Sequence, residues 1–165
     1  MGGFLAIFLD TGFYLGLCHE KDKYFERSKA ILEKLSNGEY GLLYTSIFII
    51  SEATTLATIR SNSNLKVLTH LENLLWGDDK LATIFLYDLE LIRETWNLFK
   101  KINCIDLKKD KPMSFVDIST IILCQTHQID KIVSFDSHFD RFFERINILI
   151  ILKCTLILLY VIVLK

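Results

Sequence analysis

Proline occurs once in the 165 residues, glycine seven times and cysteine four times. So few chain breakers exclude collagen-like, linker-like and low-complexity organisation. None of Cys18, Cys104, Cys124 and Cys154 forms a Cys-x-x-Cys pair or is spaced with a histidine as zinc sites require. Read as reduced, mostly buried thiols, they suit a cytoplasmic protein. Charge of one sign is also lacking: 19 lysines and arginines stand against 20 acids, a net of −1. Bulk charge therefore does not mark a polyanion binder. Setting aside the four acids singled out below leaves a mildly basic remainder, which suits a polyanion held beside metal ions. Met1-Gly2-Gly3 lacks the basic opening of a secretory signal. Neither a Gly-rich phosphate loop nor a Ser-His-Asp or Cys-His arrangement is present. What remains is a chain 51% hydrophobic, long enough to bury a core as one domain.

The hydrophobic pattern alternates between two periods. Phe4 to Leu9 is a continuous apolar run, as in a strand buried on both faces, and it ends in Asp10. Helices are expected over Thr11 to Cys18 and Asp22 to Leu35, the second stopped by Asn37-Gly38. A strand over Gly41 to Tyr44 follows, then a helix capped by Thr45 or Ser46 and running to Arg60. Asn62-Ser63-Asn64 breaks the chain before a helix over Leu65 to Leu75. Strand Ala82 to Leu86, helix Asp88 to Lys101, helix Ser114 to His127 and strand Lys131 to Phe135 complete the pattern, with a fifth strand expected over Asn147 to Leu152. Trp76 and Trp96 read as packing residues. Strands alternating with helices predict a parallel sheet covered on both faces by right-handed crossovers. Ligands of such sheets bind beyond the carboxyl ends of the strands, at the topological switch point.

Two acids fall at that edge and two more sit on apolar helix faces. Asp10 follows the first strand and Asp136 the fourth; each alone also fits a turn or a cap. Glu52 lies between Ile49 and Leu56, one turn away on either side, and so shares their apolar stripe. An ionised carboxylate buried there needs a cation, a proton or a metal. Asp117 shares its face with Ile121 and Cys124, and Ser114-x-x-Asp117 also resembles a capping box. Carboxylates brought together repel one another. Hard divalent cations relieve that repulsion, all-oxygen sites favour magnesium or manganese, and a metal at a sheet edge suggests phosphate chemistry.

Four segments carry a resemblance: Phe8-Leu9-Asp10-Thr11-Gly12, Thr45-Ser46-x5-Glu52, Met113-Ser114-Phe115-Val116-Asp117, and Ile132-Val133-Ser134-Phe135-Asp136-x-x-Phe139. In order and spacing they resemble the PIN-domain family, and within it the VapC-type toxins of toxin–antitoxin pairs. The resemblance implies a three-layer α/β/α sandwich around a mostly parallel sheet of four to five strands. It implies an endoribonuclease that hydrolyses RNA phosphodiesters with Mg²⁺ or Mn²⁺, partnered by a small antitoxin and forming a homodimer. Asp10, Glu52, Asp117 and Asp136 match the catalytic, metal-site acids. Thr11 and Ser134 match small hydroxyl positions that help order the site, and Asp140 is a further acid one turn beyond Asp136. The helix after Asp117 is bulkier than in many members, with Ile121, Ile122 and Leu123.

Other features stand beside this reading. Lys108, Lys109 and Lys111 form a basic loop before the Ser114 helix, and His138 lies two residues after Asp136. The expected division is a nuclease domain over 1–152 and an apolar extension over 153–165. Ile148–Leu152 and Leu156–Leu164 are apolar runs interrupted by Lys153-Cys154-Thr155, short for a membrane span. Packing against the domain or a second subunit is expected instead. The alternatives are a PIN-like RNA-binding or RNA-processing module without a toxin role, and a membrane-attached protein anchored by that tail.

Overall fold

The computed structural model describes residues 5–38, 40–106 and 112–146. Five strands form one fully parallel sheet in the order β3-β2-β1-β4-β5. They are β1 (Ala6–Leu9), β2 (Leu42–Ser46), β3 (Thr83–Phe85), β4 (Lys131–Val133) and β5 (Glu144–Ile146). β1 is central, and Ile7, Phe8 and Leu9 are all fully buried, as a strand covered on both faces requires. The chain steps outward from β1 to β2 and β3, then returns to place β4 on the other side of β1. The switch point therefore lies between β1 and β4.

Six helices cover the sheet: α1 (Thr11–Cys18), α2 (Phe25–Ser36), α3 (Ile47–Arg60), α4 (Leu65–Leu75), α5 (Leu89–Lys101) and α6 (Phe115–Thr126). Right-handed crossovers put α1 to α4 on one face and α5 with α6 on the other. Accordingly α1 packs on α2, α3 and α4, while α5 packs on α6. The result is the expected three-layer sandwich. Among the described residues no helix is long and apolar enough to cross a membrane.

Local chemistry sets most boundaries. Ser46, Asn64, Asp88 and Ser114 each accept a backbone N–H in the first turn of α3, α4, α5 and α6, which satisfies donors that a helix start leaves unpaired. Helix α2 starts at Phe25 rather than Asp22, because Asp22 Oδ1 accepts the Tyr24 N–H at 2.9 Å and holds that stretch as a turn. A π-helical turn, Ile102–Asp106, continues α5 and has no counterpart in the sequence pattern. The fifth strand begins at Glu144, ahead of the expected Asn147 to Leu152, which lies outside the described residues, as do the lysine loop and the tail. Trp76 and Trp96 are each 56% exposed, so neither is a core residue; Trp96 instead meets Phe115 edge-on and Phe99 at a tilt at the surface. Cys18 and Cys124 are buried free thiols and Cys104 is an exposed one.

Candidate functional site

The switch point brings Asp10 and Ser134 together. Asp10 leaves β1 with its N–H bonded to the Val133 carbonyl of β4 at 3.1 Å. Ser134, the next residue, donates its hydroxyl to Asp10 Oδ2 at 2.6 Å and accepts the Asp136 N–H at 3.0 Å. One fully buried serine thus fixes the first acid and the loop bearing the fourth. Asp136 Oδ1 in turn accepts the His138 N–H at 2.9 Å and lies 3.4 Å from His138 Nδ1.

Glu52 reaches the same place from α3. Its Oε2 accepts the hydroxyl of Thr11, the first residue of α1. Asp117 arrives from the first turn of α6, where a complete capping box holds it: the Ser114 N–H donates to Asp117 Oδ2 at 2.8 Å, and the Asp117 N–H donates to Ser114 Oγ at 3.0 Å. The approach to this box is clamped. Asn103, in the π-helical turn, donates Nδ2–H to the Met113 carbonyl at 3.0 Å and accepts the Met113 N–H at 2.8 Å.

All four acids line one open cavity of about 490 Å³. Its electrostatics are strained. Burial, first of all, pushes the Asp10 carboxyl up from 3.8 to about 7, and the charges of Asp117 and Glu52 add to this against the opposing Ser134 hydrogen bond. Glu52 is raised for the same first reason, with Asp117 adding to it and Thr11 and Arg60 working the other way. A family model for the PIN domain matches residues 7–144, which takes in all of these acids. The chain belongs to the PIN domain family.

Solved PIN-like structures share the fold at low identity. VapC20 of Mycobacterium tuberculosis, a sarcin–ricin loop cleaving toxin, superposes with a TM-score of 0.67 at 18% identity, over 86% of this chain and 98% of that one. VapBC2 of Rickettsia felis, bound to a DNA fragment from its promoter, gives 0.61 at 14% identity, over 85% of this chain and 98% of that one. FitAB bound to its IR36 DNA fragment gives 0.54 at 18% identity, over 80% and 86%. No curated protein sequence matches the chain.

Within this PIN domain the donor set fits a hard divalent ion in kind, since carboxylates and hydroxyls offer only oxygen. The surplus negative charge around Asp10 fits one in sign. In position the fit is incomplete: among the described residues no group of three Asp, Glu, His or Cys side chains stands ready to hold an ion. Ser134, Thr11, the Ser114 amide and the His138 amide each hold one acid through one of its oxygens.

Asp140 sits apart from the cavity lining. It is exposed and forms a two-pronged ion pair with Arg145 of β5, which lowers its carboxyl. Lys23, Tyr24, Arg60 and Phe135 also line the cavity and were not among the site residues expected from the sequence. Arg60 was legible, because Glu52, Leu56 and Arg60 recur every four residues on one helix face. Tyr24 was not, since it enters only through the turn that delays α2.

Proposed function

We propose that this PIN domain is a divalent-metal-dependent endoribonuclease, acting as the toxin of a toxin–antitoxin pair in the cytoplasm. The observation that carries it is the crowding of Asp10, Glu52 and Asp117, from three separate elements, around one cavity at the switch point, with Asp10 raised to about 7. A bound cation relieves both the burial of such acids and their mutual repulsion, and carboxyls displaced in this way cluster at functional sites. Asp10, Glu52, Asp117 and Asp136 are the residues that would hold Mg²⁺ or Mn²⁺. Such an ion, when bound, supplies a Lewis acid that neutralises phosphate charge and makes water a better nucleophile. Thr11 and Ser134 orient Glu52 and Asp10 by hydrogen bonds, and Asp140 braces β5 against the Asp136 loop through Arg145. Lys23 and Arg60 add the positive charge that a phosphodiester needs beside an acidic pocket.

The fold shared with VapC20 and VapBC2 supports the toxin reading and a small protein antitoxin as partner, and a homodimer belongs to the same reading. In this reading residues 1–152 form the nuclease domain, and 153–165 an apolar extension that packs on the domain or a second subunit. Cleavage of labelled RNA with Mg²⁺ or Mn²⁺, abolished by EDTA and by Asp10→Asn or Asp117→Asn, tests the assignment. Equal cleavage by the wild type and both variants, free of contaminating nuclease, overturns it.

A further inference from the structure

Tyr24 is an aromatic residue held outside the core. Phe135 is among the half-buried apolar side chains that pack against the core, and Tyr24 is not. Its ring instead lies on that of Phe135, with centroids 4.0 Å apart and planes 17° from parallel. Both rings line the cavity that contains the four acids. Cations surround the pair: Lys23 Nζ stands 4.6 Å from the Tyr24 centroid, and the Arg27 guanidinium 4.9 Å from that of Phe135 and 5.3 Å from that of Tyr24. Arg60 lines the same cavity and lies 3.4 Å from Asp22.

The ring pair is positioned before any ligand arrives. Asp22 holds the Tyr24 N–H, the Tyr24 carbonyl accepts the Ser28 N–H at 2.8 Å, and Arg60 of α3 engages Asp22 from across the groove. Gly12 of α1 lies beside Phe135, where a Cβ would stand 3.4 Å from its ring, an ordinary van der Waals distance. Flat aromatic surface beside positive charge is the pairing that binds a nucleotide, stacking for the base and charge for the phosphate.

We infer that Tyr24, backed by Phe135, is the base-stacking platform of a nucleotide subsite in which Lys23 and Arg60 grip the adjoining phosphate, so that the preferred substrate presents an unpaired base at the cavity. The inference rests on the ribonuclease reading for its class of ligand. An unpaired base is required because a base within a duplex is covered on both faces. The platform is sequence-tolerant, since every base has a stacking face. Tyr24 is then a binding residue and takes no part in the hydrolytic step.

The test separates bases from phosphates. A short labelled single-stranded RNA of mixed sequence and the same backbone made abasic are titrated into the full chain at low salt in EDTA, where nothing is cleaved. Tyr24→Leu should weaken the base-bearing strand about tenfold and leave the abasic strand unchanged. Tyr24→Trp should keep the affinity and show quenched indole fluorescence with the base-bearing strand alone. Lys23→Ala should weaken both strands alike and lower the salt dependence. Equal loss for both strands in Tyr24→Leu, no loss for either, or no binding of the base-bearing strand by the wild type overturns the platform. Cleavage with Mg²⁺ or Mn²⁺ is scored separately. Active enzyme without the Tyr24 pattern sinks this inference alone, and the Tyr24 pattern without cleavage sinks the ribonuclease reading alone.

Discussion

Replacing Asp10 by asparagine should stabilise the metal-free protein, and increasingly so as pH rises. Asp10 is 7% exposed and its carboxyl is moved from 3.8 to about 7, first by burial and then by Asp117 and Glu52. A group whose folded value lies above its unfolded value favours folding while protonated, and that advantage is lost as pH climbs from the unfolded to the folded value. A displacement of about three pK units, at about 1.36 kcal/mol each, makes ionised Asp10 cost up to about 4 kcal/mol above pH 7. Of this, about 3 kcal/mol develops between pH 5 and pH 8. Asparagine keeps the oxygen that accepts the Ser134 hydroxyl and carries no charge. Urea melts of the wild type and Asp10→Asn in EDTA should therefore nearly coincide below pH 4, stand about 1–2 kcal/mol apart at pH 5 and diverge by about 3 kcal/mol more towards pH 8. For a chain of this size the divergence corresponds to a gap of about 6–12 °C in Tm. Glu52 titrates in both proteins, so the difference between them isolates Asp10. With Mn²⁺ at about a hundred times its Kd, the wild type should recover about 2.7 kcal/mol, while Asp10→Asn should recover far less. Curves that run parallel across the pH range would refute the claim that Asp10 is buried against its own charge.

Three further outcomes follow from particular contacts. In Gly16→Ala the new Cβ would stand 2.1 Å from Ser28 Oγ, a buried hydroxyl without a hydrogen-bond partner among the described residues; α1 and α2 must part, at about 1–3 kcal/mol, and Ser28→Ala in the same chain should restore part of the loss in a thermal melt. Asn103→Ala leaves the Met113 N–H and carbonyl unpaired on a residue only 3% exposed; a loss of about 1–3 kcal/mol is expected, with a fall in kcat larger than any change in KM because the clamp positions Asp117. Truncation after Leu152 should leave a folded protein that sediments as a monomer if the apolar tail is a subunit contact, whereas full-length protein that partitions into membranes and requires detergent would favour the anchor instead.

Local chemistry made much of this protein readable in one dimension. The bounds of α1 and α4 follow directly from apolar spacing and flanking breakers, and Ser46, Asp88 and Ser114 announce their helices because capping is a contact between near neighbours. The same locality explains why Asp117 was visible in two roles: its capping box spans four residues, and its apolar companions lie one turn away. Elsewhere the signal was spread too far. The delayed start of α2 depends on how Asp22 uses its side chain, the π-helical turn after α5 has no local signature, and the exposure of Trp76 and Trp96 depends on which helix faces find a neighbour.

By itself the sequence determined the alternation of strands and helices, hence a parallel sheet, and it placed Asp10 and Asp136 at the carboxyl edge and Glu52 and Asp117 on apolar faces, because periodicity and strand ends are properties of neighbouring residues. Only the tertiary structure decided that β4 pairs with β1, which sets Ser134 against Asp10 across 124 positions of sequence. Only it brought Thr11 to Glu52, 41 positions on, and laid Tyr24 on Phe135 at the cavity lip. Such contacts depend on strand order and on how each helix docks, terms that sum over the whole core and leave no mark on any short stretch of chain.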